Sequence, residues 1–496
     1  MTSTRPFRLL RAELWDQEAV DVEVDVDVAP PAGKGSWTTL VTGRNGSGKS
    51  RLLSAIAGAF DALDGRHIRN RQPIALEYLL GERECAFRAS GTKVAAFIDG
   101  RPAAAEELPR PGAVVAATAS AFDKFHLPRE ARLLDANVTE SSYRYLGLKD
   151  GRGRVSARAG VFRALEQLFD ASDEELYRRQ RVADVFRYLG YSPTVEVTYA
   201  WTYRGKDLAR EAGTDSTRAV GRYLEDAKSR GIGAVRAAIP KYFFEDDRAA
   251  GELAASIDLL RGFSDGRKVR LVADYRRQNS GVEDQLRMAR QLTRAGIIQM
   301  VEVTLRQETS GRRVEITDAS SGELSLVVTL LGLASSIEDG SLILIDEPEI
   351  SLHPQWQSEY LGRLTEAFSA FRGCHFMIAT HSPTLVAGAG HELTNIVDLE
   401  KPAAGTSEPS SGRSVDEVLF STFGVVTKNS LHLRDLLVTA LRGAEDGELA
   451  LAKYDEEMAA LQEARPELPV DDPTGKVIDS LVRMRRQLAQ KSMPWS

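Results

Sequence analysis

One ten-residue segment near the N-terminus restricts the fold of this 496-residue chain more than any other part of the sequence. Residues 41–50 read VTGRNGSGKS and match the phosphate-binding loop pattern G-x-x-x-x-G-K-[ST] at every fixed position. An apolar run precedes the loop and a helical pattern over residues 51–57 follows it, which is the strand–loop–helix context that the motif requires. Because glycines in such loops let backbone N–H groups wrap a polyphosphate at a helix N-terminus, the segment predicts a nucleotide site in an α/β domain.

The residue types of this loop assign roles within the predicted site. Lys49 is expected to reach the β- and γ-phosphates, and the Ser50 hydroxyl is expected to bind Mg²⁺. The predicted cofactors are therefore ATP and Mg²⁺. The residues expected to contact the nucleotide are Gly43, Asn45, Gly46, Gly48, Lys49, Ser50 and Arg51.

A second motif places two acids after a buried strand. Residues 342–345 are four consecutive apolar residues, which is typical of a strand covered on both faces. Asp346 and Glu347 follow directly, and packing does not explain them. Asp346 is a candidate Mg²⁺ ligand, and Glu347 is a candidate base that orients and deprotonates a water molecule. A solvated Asp-Glu turn is the competing interpretation.

Two further segments complete the pattern. In residues 319–324 (ASSGEL), Ser320 and Glu323 have the spacing of a capping box before an apolar run, which predicts a helix N-terminus that can bind an anion. Taken alone, this is only a helix start. Residues 376–379 read as another buried strand, and Thr380 and His381 follow at its carboxyl end, where α/β sheets bind ligands. A surface histidine without a catalytic role is the alternative for His381.

The order of these four segments resembles that of the ABC-type ATPases, and within them the Rad50/SMC/RecF-like branch. Asn45, Glu323 and the segment EISLHP at 349–354 support that branch over transporter subunits. The resemblance implies two heads that close over two ATP molecules. Ser320 and the N–H groups around Gly322 would contact the γ-phosphate bound to the other chain, and His381 would act as the switch histidine. The predicted catalytic residues are therefore Glu347, His381 and Lys49.

One element departs from that pattern. These ATPases usually place a glutamine at the end of the strand after the loop helix, whereas residues 113–117 are followed here by Thr118 and Ser120. Either hydroxyl is a candidate replacement. The segments FDKF (122–125) and YRYLGLK (143–149) resemble the ATPases of bacterial anti-phage systems, Septu and the retron systems with a Septu-like ATPase, as do FRYLGY (186–191) and residues 414–423. This likeness implies a nuclease partner protein.

Composition narrows the cellular context. Hydrophobic residues make up 43% and charged residues 27%, and no apolar run reaches membrane-spanning length, which predicts a cytoplasmic protein with no membrane contact. Cys85 and Cys374 are the only cysteines, as expected in a reducing compartment. The net charge of −7 gives no global attraction to nucleic acid. Basic clusters at 178–181, 267–270 and 483–486 are candidate DNA contacts. The alternative interpretation of these clusters is an ordinary solvated surface.

The predicted organisation has five parts. The fold class is α/β, an ABC-type P-loop ATPase head with a compact helical insert and a helical C-terminal tail. The first ATPase lobe covers residues 1–150, a mainly helical insert covers 151–295, and the second lobe covers 296–400. A Pro/Ala/Gly/Ser-rich linker at 401–413 precedes a helical interaction region at 414–496.

The predicted function is ATP hydrolysis between two heads that controls a partner nuclease in anti-phage defence. Homodimers or larger homo-oligomers are expected through the heads. Two alternatives stay open: a DNA-repair ATPase of the RecF/Rad50 type, and an ATP-bound scaffold with little turnover. Glu347 argues against the scaffold, because a clamp has no need of a base beside Asp346.

Overall fold

The computed structural model gives the fold over most of the chain. It describes residues 5–16, 19–25, 35–63, 72–90, 93–120, 122–127, 142–149, 164–165, 176–211, 215–229, 242–245, 248–265, 267–276, 282–316, 322–350, 352–389, 394–400, 414–423, 425–426, 430–469 and 472–491. The predicted linker at 401–413 and Ser320 lie outside these ranges.

A six-stranded parallel sheet forms the centre of the fold. Its strands are β3 (Trp37–Thr42), β8 (Val114–Thr118), β9 (Tyr143–Leu146), β14 (Leu342–Asp346), β15 (His375–Ala379) and β16 (Thr394–Asp398), in the order β16-β3-β15-β14-β8-β9. Alternate side chains of β14 enter two different cores: Leu342 and Leu344 enter one, and Ile343 and Ile345 the other. Burial on both faces explains why this strand is a continuous apolar run.

An antiparallel sheet covers one face of the parallel sheet. It contains β1 (Phe7–Asp16), β2 (Ala19–Asp25), β4 (Ile74–Leu80), β5 (Arg83–Ser90), β6 (Lys93–Ile98) and β7 (Arg101–Ala103), in the order β2-β1-β4-β5-β6-β7. Helix α1 (Lys49–Leu63) lies between the two sheets, and its apolar side chains share one core with both. The phosphate-binding loop therefore enters a helix that is held on two sides.

His375 connects the two sheets by side-chain hydrogen bonds. The Leu9 backbone N–H of β1 donates to Nδ1 of His375 at 3.0 Å, which fixes the proton of the neutral ring on Nε2. Nε2 in turn lies 2.9 Å from the Thr39 hydroxyl oxygen of β3. The ring is fully buried, and both of its nitrogens have partners, as burial of a polar group requires.

A third sheet lies in the middle of the chain. Its strands are β10 (Tyr191–Trp201), β11 (Lys268–Asp274), β12 (Ile298–Gln307) and β13 (Arg313–Glu315), and they pair antiparallel in the order β11-β10-β12-β13. The helices around it are α2 (Leu176–Tyr188), α3 (Tyr203–Glu211), α4 (Ser216–Ser229), α5 (Tyr242–Glu245), α6 (Ala249–Arg261) and α7 (Val282–Arg294).

Residues 296–400, predicted as the second ATPase lobe, contribute strands to two sheets. Strand β12 pairs with β10 and strand β13 pairs with β12 in the third sheet, whereas β14, β15 and β16 belong to the parallel sheet. Strand pairing depends on contacts between distant segments, which the periodicity of a sequence does not reveal. The boundary at 295/296 therefore separates strands that are hydrogen-bonded to one another.

The other face of the parallel sheet shares its core with this third sheet. Helices α8 (Gly322–Ser336), α9 (Pro354–Ala367) and α10 (Pro383–Ala387) pack on that face. One apolar cluster contains Ile343 and Ile345 of β14, Leu330 of α8, and Val195 and Val303 of the third sheet. The middle segment and the parallel sheet are thus packed as one body.

The C-terminal segment is helical, as predicted. It consists of α11 (Val415–Ser421), α12 (Leu431–Glu445), α13 (Asp455–Ala464) and α14 (Pro473–Lys491), with short 3₁₀ turns between them. These helices have a core of their own, which includes Ala440, Met458, Leu461 and Ile478. The α/β class and the helical C-terminal segment are therefore confirmed. Among the described helices, none is both long and apolar enough to cross a membrane.

Candidate active site

The loop between β3 and α1 has the backbone shape that its glycines allow. Gly46 and Gly48 have φ angles of +90° and +101°, in the left-handed region that other residues rarely adopt. A Cβ atom on Gly48 would lie 2.7 Å from the Val22 side chain of β2, so the position excludes a larger residue for steric reasons as well. The loop ends at Lys49, where α1 begins, which places it at a helix N-terminus suited to an anion.

Lys49 lies inside this loop rather than in solvent. Its Nζ donates to the carbonyl oxygens of Gly43 at 2.6 Å and Arg44 at 3.0 Å. Burial lowers the pKa of Lys49, and the carboxylates of Glu347 and Asp346 act in the opposite direction. The ammonium group is therefore held between the loop and the acids at the end of β14.

Ser50 and Asp346 meet at the end of the parallel sheet. The Ser50 hydroxyl donates to Oδ1 of Asp346 at 3.0 Å, although 296 positions separate them in the chain. Asp346 is 2% exposed, and this burial raises its pKa to about 7. A hydroxyl beside a buried carboxylate fits Mg²⁺, which proteins usually bind through one or two carboxylates together with phosphate and water oxygens.

Glu347 has a strained backbone conformation. Its φ angle is +49°, which for a residue with a side chain costs about 1–2 kcal/mol. The Glu347 N–H donates to the Ala379 carbonyl of β15 at 2.9 Å, which helps to hold the conformation. Oε1 of Glu347 lies 3.6 Å from Nδ1 of His381, so the structure brings the two predicted catalytic residues together.

Glu349 is a site residue to which the sequence alone assigned no role. Its side chain is 4% exposed, and its Oε1 lies 3.2 Å from Nδ1 of His381. The same oxygen accepts hydrogen bonds from the Thr380 hydroxyl at 2.7 Å and from the His381 N–H at 2.8 Å. The second acid of the Glu347-Pro348-Glu349 sequence was the available signal, but the sequence does not show that it turns inwards.

Gln357 of α9 is a second residue that sequence reasoning missed. Its amide nitrogen donates to the carbonyl oxygens of Leu352 at 3.0 Å and Glu349 at 3.4 Å, and its amide oxygen accepts from the Ser382 hydroxyl at 2.7 Å. Gln357 thus joins the segment after β14 to the segment after β15. No sequence motif marks this bridging role.

The region of the missing glutamine contains both candidate hydroxyls and a buried carboxylate. Thr118 is the residue of β8 that pairs with Asp346, and its hydroxyl oxygen accepts from the Ser120 N–H at 3.0 Å. The buried carboxylate nearby belongs to Asp123, which accepts from the Tyr145 hydroxyl and from Nζ of Lys149, both at 2.9 Å. The FDKF and YRYLGLK segments therefore form one cluster behind the site.

The remaining predicted site residues lie in different surroundings. Asn45 and Arg51 are exposed, the former in the loop and the latter in the first turn of α1. Gly322 is the first residue of α8, and Ser320 lies outside the described residues. The nucleotide contacts of Asn45 and Arg51, and those of Ser320 and Gly322 across two heads, stay predictions.

The fold and the site define an α/β P-loop domain. Its strand–loop–helix motif and its pair of acids, Asp346 and Glu347, lie at the same end of the parallel sheet. A family model described as AAA domain, putative AbiEii toxin, Type IV TA system matches residues 39–387. The chain belongs to this family.

Comparisons with individual proteins give weaker likenesses. Protein ea59 of Escherichia phage lambda is 39% identical over 67 residues, which is 14% of this chain and 13% of that protein. The match thus spans a small part of that relative's length. The SMC head domain from Thermotoga maritima is 11% identical, with a TM-score of 0.32 over 79% of this chain and 94% of that chain. The Smc head domain bound to the C-terminal domain of ScpA, from Pyrococcus furiosus, is 13% identical, with a TM-score of 0.29 over 79% and 93%.

Proposed function

We propose that this protein is an ATPase that hydrolyses Mg-ATP at the edge of its parallel sheet. The observation that carries the proposal is the contact between the Ser50 hydroxyl and Asp346, with Glu347 and His381 beside it. This contact joins the phosphate-binding loop to the acids at the end of β14. A purely structural Ser–Asp pair would not explain a strained glutamate next to it.

The positions of the side chains support the following roles. The loop N–H groups and Lys49 would hold the β- and γ-phosphates, and Ser50 and Asp346 would hold Mg²⁺, which would neutralise phosphate charge when bound. Glu347 takes a proton from a water molecule whose oxygen attacks the γ-phosphorus. The bond from that phosphorus to the β,γ-bridging oxygen breaks, and ADP and phosphate leave. His381 contacts the γ-phosphate.

We propose further that two chains close over two nucleotides. The start of α8 at Gly322 supports this, because a helix N-terminus offers N–H groups to an anion. In a closed pair, Ser320 and Gly322 of one chain would contact the γ-phosphate held by the other. Closure would then depend on bound ATP.

The cellular role that we propose is control of a partner effector, a nuclease, in bacterial anti-phage defence. The resemblance of the FDKF and YRYLGLK segments to such ATPases supports this role. The description of the matching family, which names a putative toxin of a toxin–antitoxin system, is compatible with it.

Two substitutions test the hydrolytic function. Lys49→Ala should abolish turnover by weakening nucleotide binding, whereas Glu347→Gln should bind ATP and lower kcat by about 10²- to 10⁴-fold, since it removes the base. ADP release and binding of a fluorescent ATP analogue measure the two effects. Lys453→Ala and Glu359→Gln are matched controls on exposed residues of the C-terminal segment and α9. Wild-type turnover by Glu347→Gln would contradict the mechanism.

A further inference from the structure

The segment after β14 and the segment after β15 are connected by one carboxylate. Oε1 of Glu349 accepts from the Thr380 hydroxyl and the His381 N–H and lies 3.2 Å from the His381 ring nitrogen Nδ1. Two hydrogen-bond donors and a ring nitrogen thus approach a single oxygen of the buried Glu349 side chain. Burial of a charge without partners is unfavourable, so a buried carboxylate needs contacts of this kind. These contacts therefore indicate that Glu349 has a structural task.

We propose that Glu349 is a positioning residue that fixes the ring of His381, an inference that rests on the proposed ATPase function. Because the carboxylate can only accept, the contact assigns a proton to Nδ1 of His381. Nε2 is then the nitrogen that faces the γ-phosphate, and it donates to a phosphate oxygen when the ring carries a proton on both nitrogens. In metal sites, residues that orient a histidine through its second nitrogen act in this way.

The surroundings of Glu349 explain why the histidine would be held firmly. Thr380 is fully buried, and its hydroxyl oxygen accepts from the Ser382 N–H at 3.0 Å while its proton goes to Glu349. The Ser382 hydroxyl donates to the side-chain amide oxygen of Gln357, and the amide nitrogen of Gln357 donates to the Glu349 carbonyl oxygen. These hydrogen bonds connect Ser382 back to Glu349. By contrast, the His381 side chain is 44% exposed and gains little restraint from packing.

Glu349 also links the base to the histidine. Glu347 and Glu349 flank Pro348, and both carboxylates approach the same nitrogen of His381, at 3.6 and 3.2 Å. The shorter contact belongs to the buried carboxylate, and the longer to Glu347, whose side chain is 24% exposed. Glu349 therefore holds the ring while Glu347 stays available to the water molecule.

A double-mutant cycle with ATP turnover as the readout tests this role. Glu349→Leu removes the acceptor oxygen and should lower kcat about 10- to 100-fold, with KM for ATP changed by less than about twofold, because the residue acts on the histidine and not on nucleotide binding. Glu349→Gln keeps an acceptor oxygen and should retain more activity than Glu349→Leu. Glu359→Leu, on the exposed face of α9, is the control.

The decisive variant combines Glu349→Leu with His381→Ala. If Glu349 acts through His381, the double variant has the kcat of His381→Ala alone. Losses that multiply, or equal damage from Glu349→Gln and Glu349→Leu, would overturn the proposal. Thermal unfolding of each variant identifies any that fail to fold, and Glu349→Ala, which also lacks the acceptor oxygen, then replaces Glu349→Leu in the cycle.

A second measurement separates this inference from the proposed function. If the wild-type protein does not hydrolyse ATP, the proposed function fails, but the contact can still be tested with ¹⁵N-histidine labelling. Imidazole ¹⁵N shifts, assigned with His381→Gln, should show the Nδ1-protonated form of His381 in the wild type and its loss in Glu349→Leu. A wild-type ring that is protonated on Nε2 alone would overturn the assignment.

Discussion

We expect acid to weaken the connection that His375 makes between the antiparallel and parallel sheets. The ring is fully buried, its Nδ1 accepts from the Leu9 N–H, and its Nε2 lies against the Thr39 hydroxyl. A proton added at Nδ1 would face the Leu9 N–H and break that hydrogen bond. Burial, with the nearby Arg8 guanidinium, lowers the pKa of His375 to about 3.

The sign and size of the effect follow from proton linkage. An unfolded histidine has a pKa near 6.5, so between pH 6.5 and pH 3 the unfolded chain binds more protons than the folded one. The stability due to neutral His375 is complete above pH 6.5 and falls as the pH drops towards 3. Between pH 7 and pH 5 the loss is about 2 kcal/mol, and across the whole range it is on the order of 5 kcal/mol.

Urea unfolding at several pH values, followed by tryptophan fluorescence, measures this loss. Trp37 of β3 pairs with His375 in the sheet register, so it reports on the same region. Asp346 contributes with the opposite sign, because its raised pKa makes the folded chain bind the extra proton. The comparison is therefore between wild type and His375→Gln, which share Asp346.

The expected result is a His375→Gln variant that is less stable at pH 7 but loses about 2 kcal/mol less than the wild type on going to pH 5. A variant with the same pH slope as the wild type would refute the reasoning. It would mean that the ring is charged in the folded protein, or that the two sheets separate before it titrates.

Two further predictions concern the loop and the assembly. Gly48→Ala should destabilise the head by about 1–3 kcal/mol and weaken ATP binding, because the φ of Gly48 is +101° and the new Cβ would meet Val22. Thermal unfolding and nucleotide titration measure the two effects. Adding Val22→Ala should restore only part of the lost stability, since the backbone strain stays. Light scattering of Glu347→Gln should give about 54.4 kDa without nucleotide and about twice that with Mg-ATP. The same mass in both states would favour a preassembled scaffold, and a Ser320→Arg change in the Glu347→Gln protein should prevent ATP-dependent pairing.

The sequence predicted those parts of the site that belong to short, continuous motifs. Residues 41–50 and the run at 342–347 each carry their own strand or loop pattern, and the structure brings Ser50 and Asp346 together at the same end of one parallel sheet. His381 likewise follows β15 directly, at the same edge of the sheet.

The residues that the sequence did not reveal act through contacts between distant segments. The contacts of Asp123 and Gln357 depend on Lys149, Tyr145 and Ser382, which reach them only in the folded chain. The pairing of β12 with β10 is of the same kind, because alternation of apolar residues identifies a strand but not its neighbour.

The single apolar cluster beneath the parallel sheet has a consequence for how this chain can be divided. Ile343, Ile345 and Val195 belong to one core, so a shortened protein that joins residue 149 to residue 322 would expose alternate side chains of the central strands to water. Such a truncation is expected to aggregate rather than to yield a minimal head. For the same reason, the middle segment cannot be exchanged between relatives as an independent module unless its partner face on the sheet is exchanged with it.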